Sequence, residues 1–109
     1  MREEVEVNHG SDNIFTDLGL PNPEERMAKA VLSNQIHDII KKSHLTQARA
    51  AALLGIDQPK VSALIRGRLS GFSMERLFYF LNALGRDVDI VVKPKPSSRQ
   101  QAHLRVAAA

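Results

Sequence analysis

Thr46-Gln47-Ala48-Arg49-Ala50-Ala51-Ala52-Leu53-Leu54-Gly55-Ile56-Asp57-Gln58-Pro59-Lys60-Val61-Ser62-Ala63-Leu64-Ile65-Arg66 is the stretch that decides how this 109-residue chain folds. Thr46 is a good N-cap, because a side-chain oxygen there can accept a hydrogen bond from the free N–H groups of a first helical turn. Gln47 then takes the first helical position. From Arg49 to Leu54 the residues are almost all Ala and Leu around Ala50 and Ala51, which predicts a short helix with small side chains on its contact face. Gly55 follows where such a helix ends in a left-handed turn. Asp57 caps the next helix, and Pro59 lies in its first turn, where a missing N–H costs little. Val61, Leu64 and Ile65 supply its apolar side. The two short helices should therefore cross steeply, with Ala51 small enough for close approach and Val61 and Leu64 as plugs.

Working outward, Glu24 and Glu25 open an earlier helix, acidic residues suiting the positive end of the backbone dipole. Ala28, Leu32, Ile36, Ile39 and Ile40 recur at helical spacing and Lys41 and Lys42 close it. Ser43 and His44 break the run. Downstream, Gly67 ends the Asp57-capped helix and Ser73 caps another with Glu75 in its first turn. Leu77, Phe78, Phe80, Leu81 and Leu84 form its buried face, and Gly85 terminates it. Asp87 to Lys93 changes period: Val88, Ile90 and Val92 alternate with Asp89 and Val91, which reads as one β-strand. A lone strand leaves both backbone edges unpaired, and the economical partner is the same strand of a second copy about a two-fold axis. Val88, Ile90 and Val92 are then the dimerisation residues. An extended tail, or pairing with the arm around Val5 to Val7, is the alternative.

The expected architecture is an all-α domain of four to five helices with that single C-terminal strand. Residues 1–23, holding Gly10, Gly19, Pro21 and Pro23, read as a flexible acidic arm with a local apolar contact through Ile14, Phe15 and Leu18. Residues 24–93 form the folded domain. Residues 94–109 read as a disordered tail rich in Ser, Arg, Gln and Ala.

Length and composition bound the function. A chain of 109 residues holds one domain, and so small a core invites oligomerisation. With no cysteine, disulfide frameworks and thiolate metal sites are excluded. No apolar run approaches the roughly 20 residues that span a bilayer, and Met1 to Gly10 lacks the pattern of a signal peptide, so a soluble, cytoplasmic protein without membrane contact is expected. The net charge of +3 is unevenly spread: residues 1–40 carry 3 Lys/Arg against 8 Asp/Glu, residues 41–109 carry 12 against 4. An acidic first part and a basic second part imply two different partners. His37 and His44 lie two turns apart without a third ligand nearby, and His9 and His103 fall in the ends, so no metal or other cofactor is expected. Neither a Ser-His-Asp set nor a phosphate-binding glycine loop is present, and no enzyme activity is expected.

The order Thr46-Gln47, Ala51, Gly55, Asp57-Gln58-Pro59-Lys60-Val61-Ser62, Leu64 and Arg66-Gly67 resembles the helix-turn-helix of the phage-repressor-like (Xre) family, over about two-thirds of the chain. The resemblance implies sequence-specific binding of double-stranded DNA by a dimer on a palindromic operator. Thr46 and Gln47 then open the helix that grips a phosphate, with Gln47 bracing Gln58. Gln58 matches the first base-reading residue, and its amide can pair with N6 and N7 of adenine. Lys60 and Ser62 reach base edges or phosphates, and Arg66 and Arg68 suit backbone contacts that fix register. Pro59 departs from the hydrogen-bonding residue of many relatives, leaving apolar contact with a thymine methyl. Around this core, Asn13-Ile14-Phe15-Thr16-Asp17-Leu18-Gly19-Leu20, the helix start at Glu25 to Lys29, and Phe72-Ser73 through Leu84-Gly85-Arg86-Asp87-Val88 are similar to the HigA-type antitoxin branch. That likeness implies repression of its own operon and neutralisation of a small basic ribonuclease toxin of the RelE/ParE fold. A free-standing regulator without a toxin, and an adaptor that reuses the fold without touching DNA, are the competing readings.

Overall fold

The computed structural model describes residues 23–108. The first 22 residues, and with them nearly all of the expected acidic arm, lie outside the described part. Four helices follow in order: α1 (Pro23–Lys42), α2 (Gln47–Leu54), α3 (Gln58–Ile65) and α4 (Met74–Ala83).

Each start carries the chemistry its residues predict. Pro23 opens α1, with Glu24 and Glu25 in the first turn and Lys41 and Lys42 in the last. Thr46 Oγ1, Asp57 Oδ1 and Ser73 Oγ each accept a hydrogen bond from the backbone N–H three residues on, at 3.0, 3.0 and 3.1 Å. All three caps sit in extended backbone, so each chain segment turns into its helix at the capping residue. The end of α2 is set by Gly55, at φ 72°, whose N–H donates to the Ala51 carbonyl. A Cβ built at Gly55 would meet nothing within 4 Å, so conformation rather than space requires glycine there. The end of α1 is different: His44 takes the left-handed conformation, at φ 56°, without a glycine.

One core holds all four helices. Leu32, Ile36, Ile39 and Ile40 come from α1, Ala50, Ala51 and Leu54 from α2, Val61 and Leu64 from α3, and Leu77, Phe80 and Leu81 from α4. Ile36, Val61, Leu64 and Leu77 are completely buried. Phe78, Leu84 and Ile65, expected on buried faces, are half-buried at its edge. Phe72, in the loop before α4, is also buried and meets Phe80 edge-on at 5.8 Å between ring centroids. The Arg76 guanidinium lies 5.3 and 5.4 Å from these two rings, a cation–π contact that covers the aromatic pair from solvent. Ser33 is the one buried polar side chain among the described residues, and its hydroxyl donates across the core to the Leu64 carbonyl at 3.4 Å.

Past α4, the chain is tied by the Arg86 N–H donating to the Leu81 carbonyl and by Asn82 Nδ2 donating to the Arg86 carbonyl at 2.8 Å. The β-strand expected over Asp87 to Lys93 is not formed; among the described residues there is no strand. A strand exists only through pairing, and no second edge is available within the described chain. Val88 is half-buried against the core, whereas Ile90, Val91 and Val92 are 60%, 78% and 78% exposed. Residues 94–108 have no regular structure, but they are not detached. The Leu104 N–H donates to Glu24 Oε1 at 3.0 Å, and Val106 packs at the core edge, so the segment returns to the start of α1.

Candidate nucleic-acid interface

The seat of α3 decides what it can present. Val61 and Leu64, one helical turn apart, are buried without remainder, and they fix which way the helix faces. Gln58, Pro59 and Lys60, in the first turn, are all exposed. Ser62 is half-exposed on the flank. Because Asp57 accepts the Lys60 N–H and Pro59 has no N–H to satisfy, the backbone donors of both residues are accounted for locally. It projects as an exposed, mostly polar turn.

The helix before it, α2, packs closely on α3 and begins in the same manner. Thr46 uses a lone pair to cap Arg49, which leaves its hydroxyl proton free to donate. Gln47 and Arg49 are exposed beside it. Thr46, Gln47, Gln58, Pro59 and Lys60 thus stand at the starts of two packed, self-capped helices. Arg66 and Arg68 are also exposed, but they follow the other end of α3, roughly 12 Å from Gln58 by the rise of eight helical residues. The structure therefore splits the anticipated DNA-contacting residues into a first-turn group and a distal basic pair.

Sequence reasoning passed over Arg49 and the open hollow lined by Asp38, Lys41, Lys42 and His44 at the α1–α2 junction. The surplus of basic residues after position 40 was the signal that could have found them. The residue supporting α3 from behind, Ser33, carried no signal at all, since a serine among apolar helix positions does not announce its partner. Among the described residues no group of three His, Cys, Asp or Glu could hold a metal ion, and no helix is long and apolar enough to cross a membrane.

Comparison with known proteins bears on the same region. A family described as "Helix-turn-helix domain" matches residues 14–93. A solved structure titled "Putative XRE Family Transcriptional Regulator" is similar at a TM-score of 0.77 and 52% identity, covering 82% of this chain and 100% of that one. The chain is also 39% identical over 70 residues to "Putative antitoxin HigA3" of Mycobacterium tuberculosis, a match spanning 63% of this chain and 64% of that protein.

Proposed function

This chain belongs to the Xre-like helix-turn-helix family of transcriptional regulators, and on that premise we propose that it falls in the HigA-type branch, as a dimeric, autoregulating repressor that also serves as an antitoxin. The observation that carries the DNA-binding half is the exposed first turn of α3, Gln58 to Lys60, locked from below by Val61 and Leu64. Gln58 reads adenine through its amide, Pro59 meets a thymine methyl, and Lys60 and Ser62 reach base edges or phosphates. Thr46 and Gln47 hold the phosphate that sets the depth of insertion, while Arg66 and Arg68 bind backbone further along. Two copies, joined through Val88, Ile90 and Val92, place two such turns in successive major grooves of a palindromic operator. Its half-sites lie about one helical turn, roughly 34–36 Å, apart.

The test is a mobility-shift titration on the promoter upstream of the protein's own gene. Gln58→Ala is expected to cost about 1–3 kcal/mol at one base pair and to relax preference there. Equal loss on operator and random duplex would remove Gln58 from base reading.

The antitoxin half is favoured by the HigA3 relative and by the acidic balance of residues 1–40. A ribonuclease toxin of the RelE/ParE fold binds phosphate through a basic surface, and an acidic segment such as Glu3 to Asp17 is complementary to it. Deleting Met1 to Asp12 is expected to weaken capture of the toxin encoded beside this gene while operator affinity stays unchanged. Capture that survives the deletion rejects the arm as the neutralising element. If no basic protein co-purifies with the full chain, the free-standing regulator is the better reading.

A further inference from the structure

We propose that the end of α1 carries a second DNA contact that is blind to sequence: Lys41 and Lys42, with His44 in the turn that follows, hold phosphates flanking the segment that α3 reads. The inference rests on the DNA-binding reading above and extends it to residues outside the two short helices.

Lys41, Lys42 and His44 are all exposed, and together with Asp38 they line one open hollow. Asp38 stands four residues before Lys42, the spacing and order best suited to a helical ion pair. Yet neither lysine has a side-chain hydrogen bond or ion pair to another described residue. Nothing among the described residues neutralises their charge, which is open to an anion.

The backbone holds this hollow in place. The N–H groups of Ser43, His44 and Leu45 donate to the carbonyls of Ile39, Lys41 and Ile40 at 2.9, 3.1 and 3.1 Å. Leu45 is half-buried at the core edge, which fastens the turn from inside. From Lys42 to Gln47 the chain takes five steps, so their Cα atoms are at most roughly 18 Å apart, and less because the path is a turn. A lysine side chain adds several ångströms of reach. When Gln47 grips one phosphate, the lysines are near enough to reach its neighbours on the same backbone. Point charges on flexible stems suit that role, since they demand no fixed geometry from the phosphate. Asp38 at the rim opposes it and limits the strength of the contact.

Salt dependence isolates this contact from base reading. Fluorescence anisotropy of the full chain on labelled operator and random duplexes, across a salt series, gives the slope of log K against log salt. The double variant Lys41→Gln/Lys42→Gln should flatten that slope by about 0.9 for each phosphate released, or about 1.8 per protomer. Affinity should fall by the same factor on both duplexes, and Asp38→Asn should tighten both equally. All three side chains are exposed, so thermal melting should move only slightly, by the changed interaction of these charges with the end of the helix. An unchanged slope in the double variant, with wild type binding its operator, overturns the patch and leaves the repressor reading standing. So does a loss confined to the operator. Wild type that binds neither duplex sinks both.

Discussion

Individual residues here act mainly through backbone conformation and capping. Gly55 is the sharpest case, because its left-handed φ and the empty space around it separate two explanations usually entangled. Gly55→Ala meets no clash, so its cost is the left-handed strain alone, about 1–2 kcal/mol. Chemical denaturation should read that as a lowered midpoint with an unchanged slope, since the surface exposed on unfolding stays the same. A loss well above that range would mean that the turn is packed against something. Gly55 and the three capping residues were legible in the sequence because their chemistry is local: a side-chain oxygen meets an N–H three residues ahead whatever the rest of the chain does. His44 was not. It ends α1 in a conformation that usually selects glycine, so the boundary was marked by the loss of apolar period and the basic pair Lys41 and Lys42 instead.

At the scale of elements, α3 is too short at eight residues to hold its own shape, and tertiary contact must supply the difference. Leu64 carries that load from two sides: its side chain is wholly buried, and its carbonyl receives the Ser33 hydroxyl. Leu64→Ala is expected to cost about 2–5 kcal/mol. Ile65→Ala, at the half-buried neighbour, should cost clearly less in the same thermal melt. Equal destabilisation by the two would contradict the orientation given to α3, and with it the exposure of Gln58. Helical spacing foretold which side of α3 is buried. The Ser33 bond, by contrast, joins residues 31 positions apart, and no local pattern encodes such a meeting. The same holds for Arg76, whose place over Phe72 and Phe80 depends on a loop residue folding back onto α4.

The whole molecule has two unlike ends. Helix α1 runs about 30 Å by its twenty residues, from Glu24, where the C-terminal segment returns, to Lys42, beside the start of α2. One pole carries the starts of α2 and α3, and at the other the C-terminal segment meets the start of α1, so the two partners of the proposed function could be held without overlap. The proposed assembly falls to the segment from Val88 to Val92, whose apolar side chains at 90–92 are exposed in the single chain. Ile90→Asp/Val92→Asp should shift the mass measured by light scattering from dimer to monomer. Operator binding should then fall to that of a half-site. A dimer that persists assigns assembly to helix packing and removes Val88, Ile90 and Val92 from that role.

What the amino-acid order determined by itself is the set of helices, their caps, the glycine turn and the side of each helix that seeks the core, because these follow from interactions spanning a few residues. What only the tertiary structure decided is how far each face sinks, how Ser33 and Arg76 brace distant elements, and that the alternating segment after α4 finds no strand partner within the described chain. Those outcomes depend on which surfaces meet across the fold, and hydrophobic burial and strand pairing are blind to sequence distance.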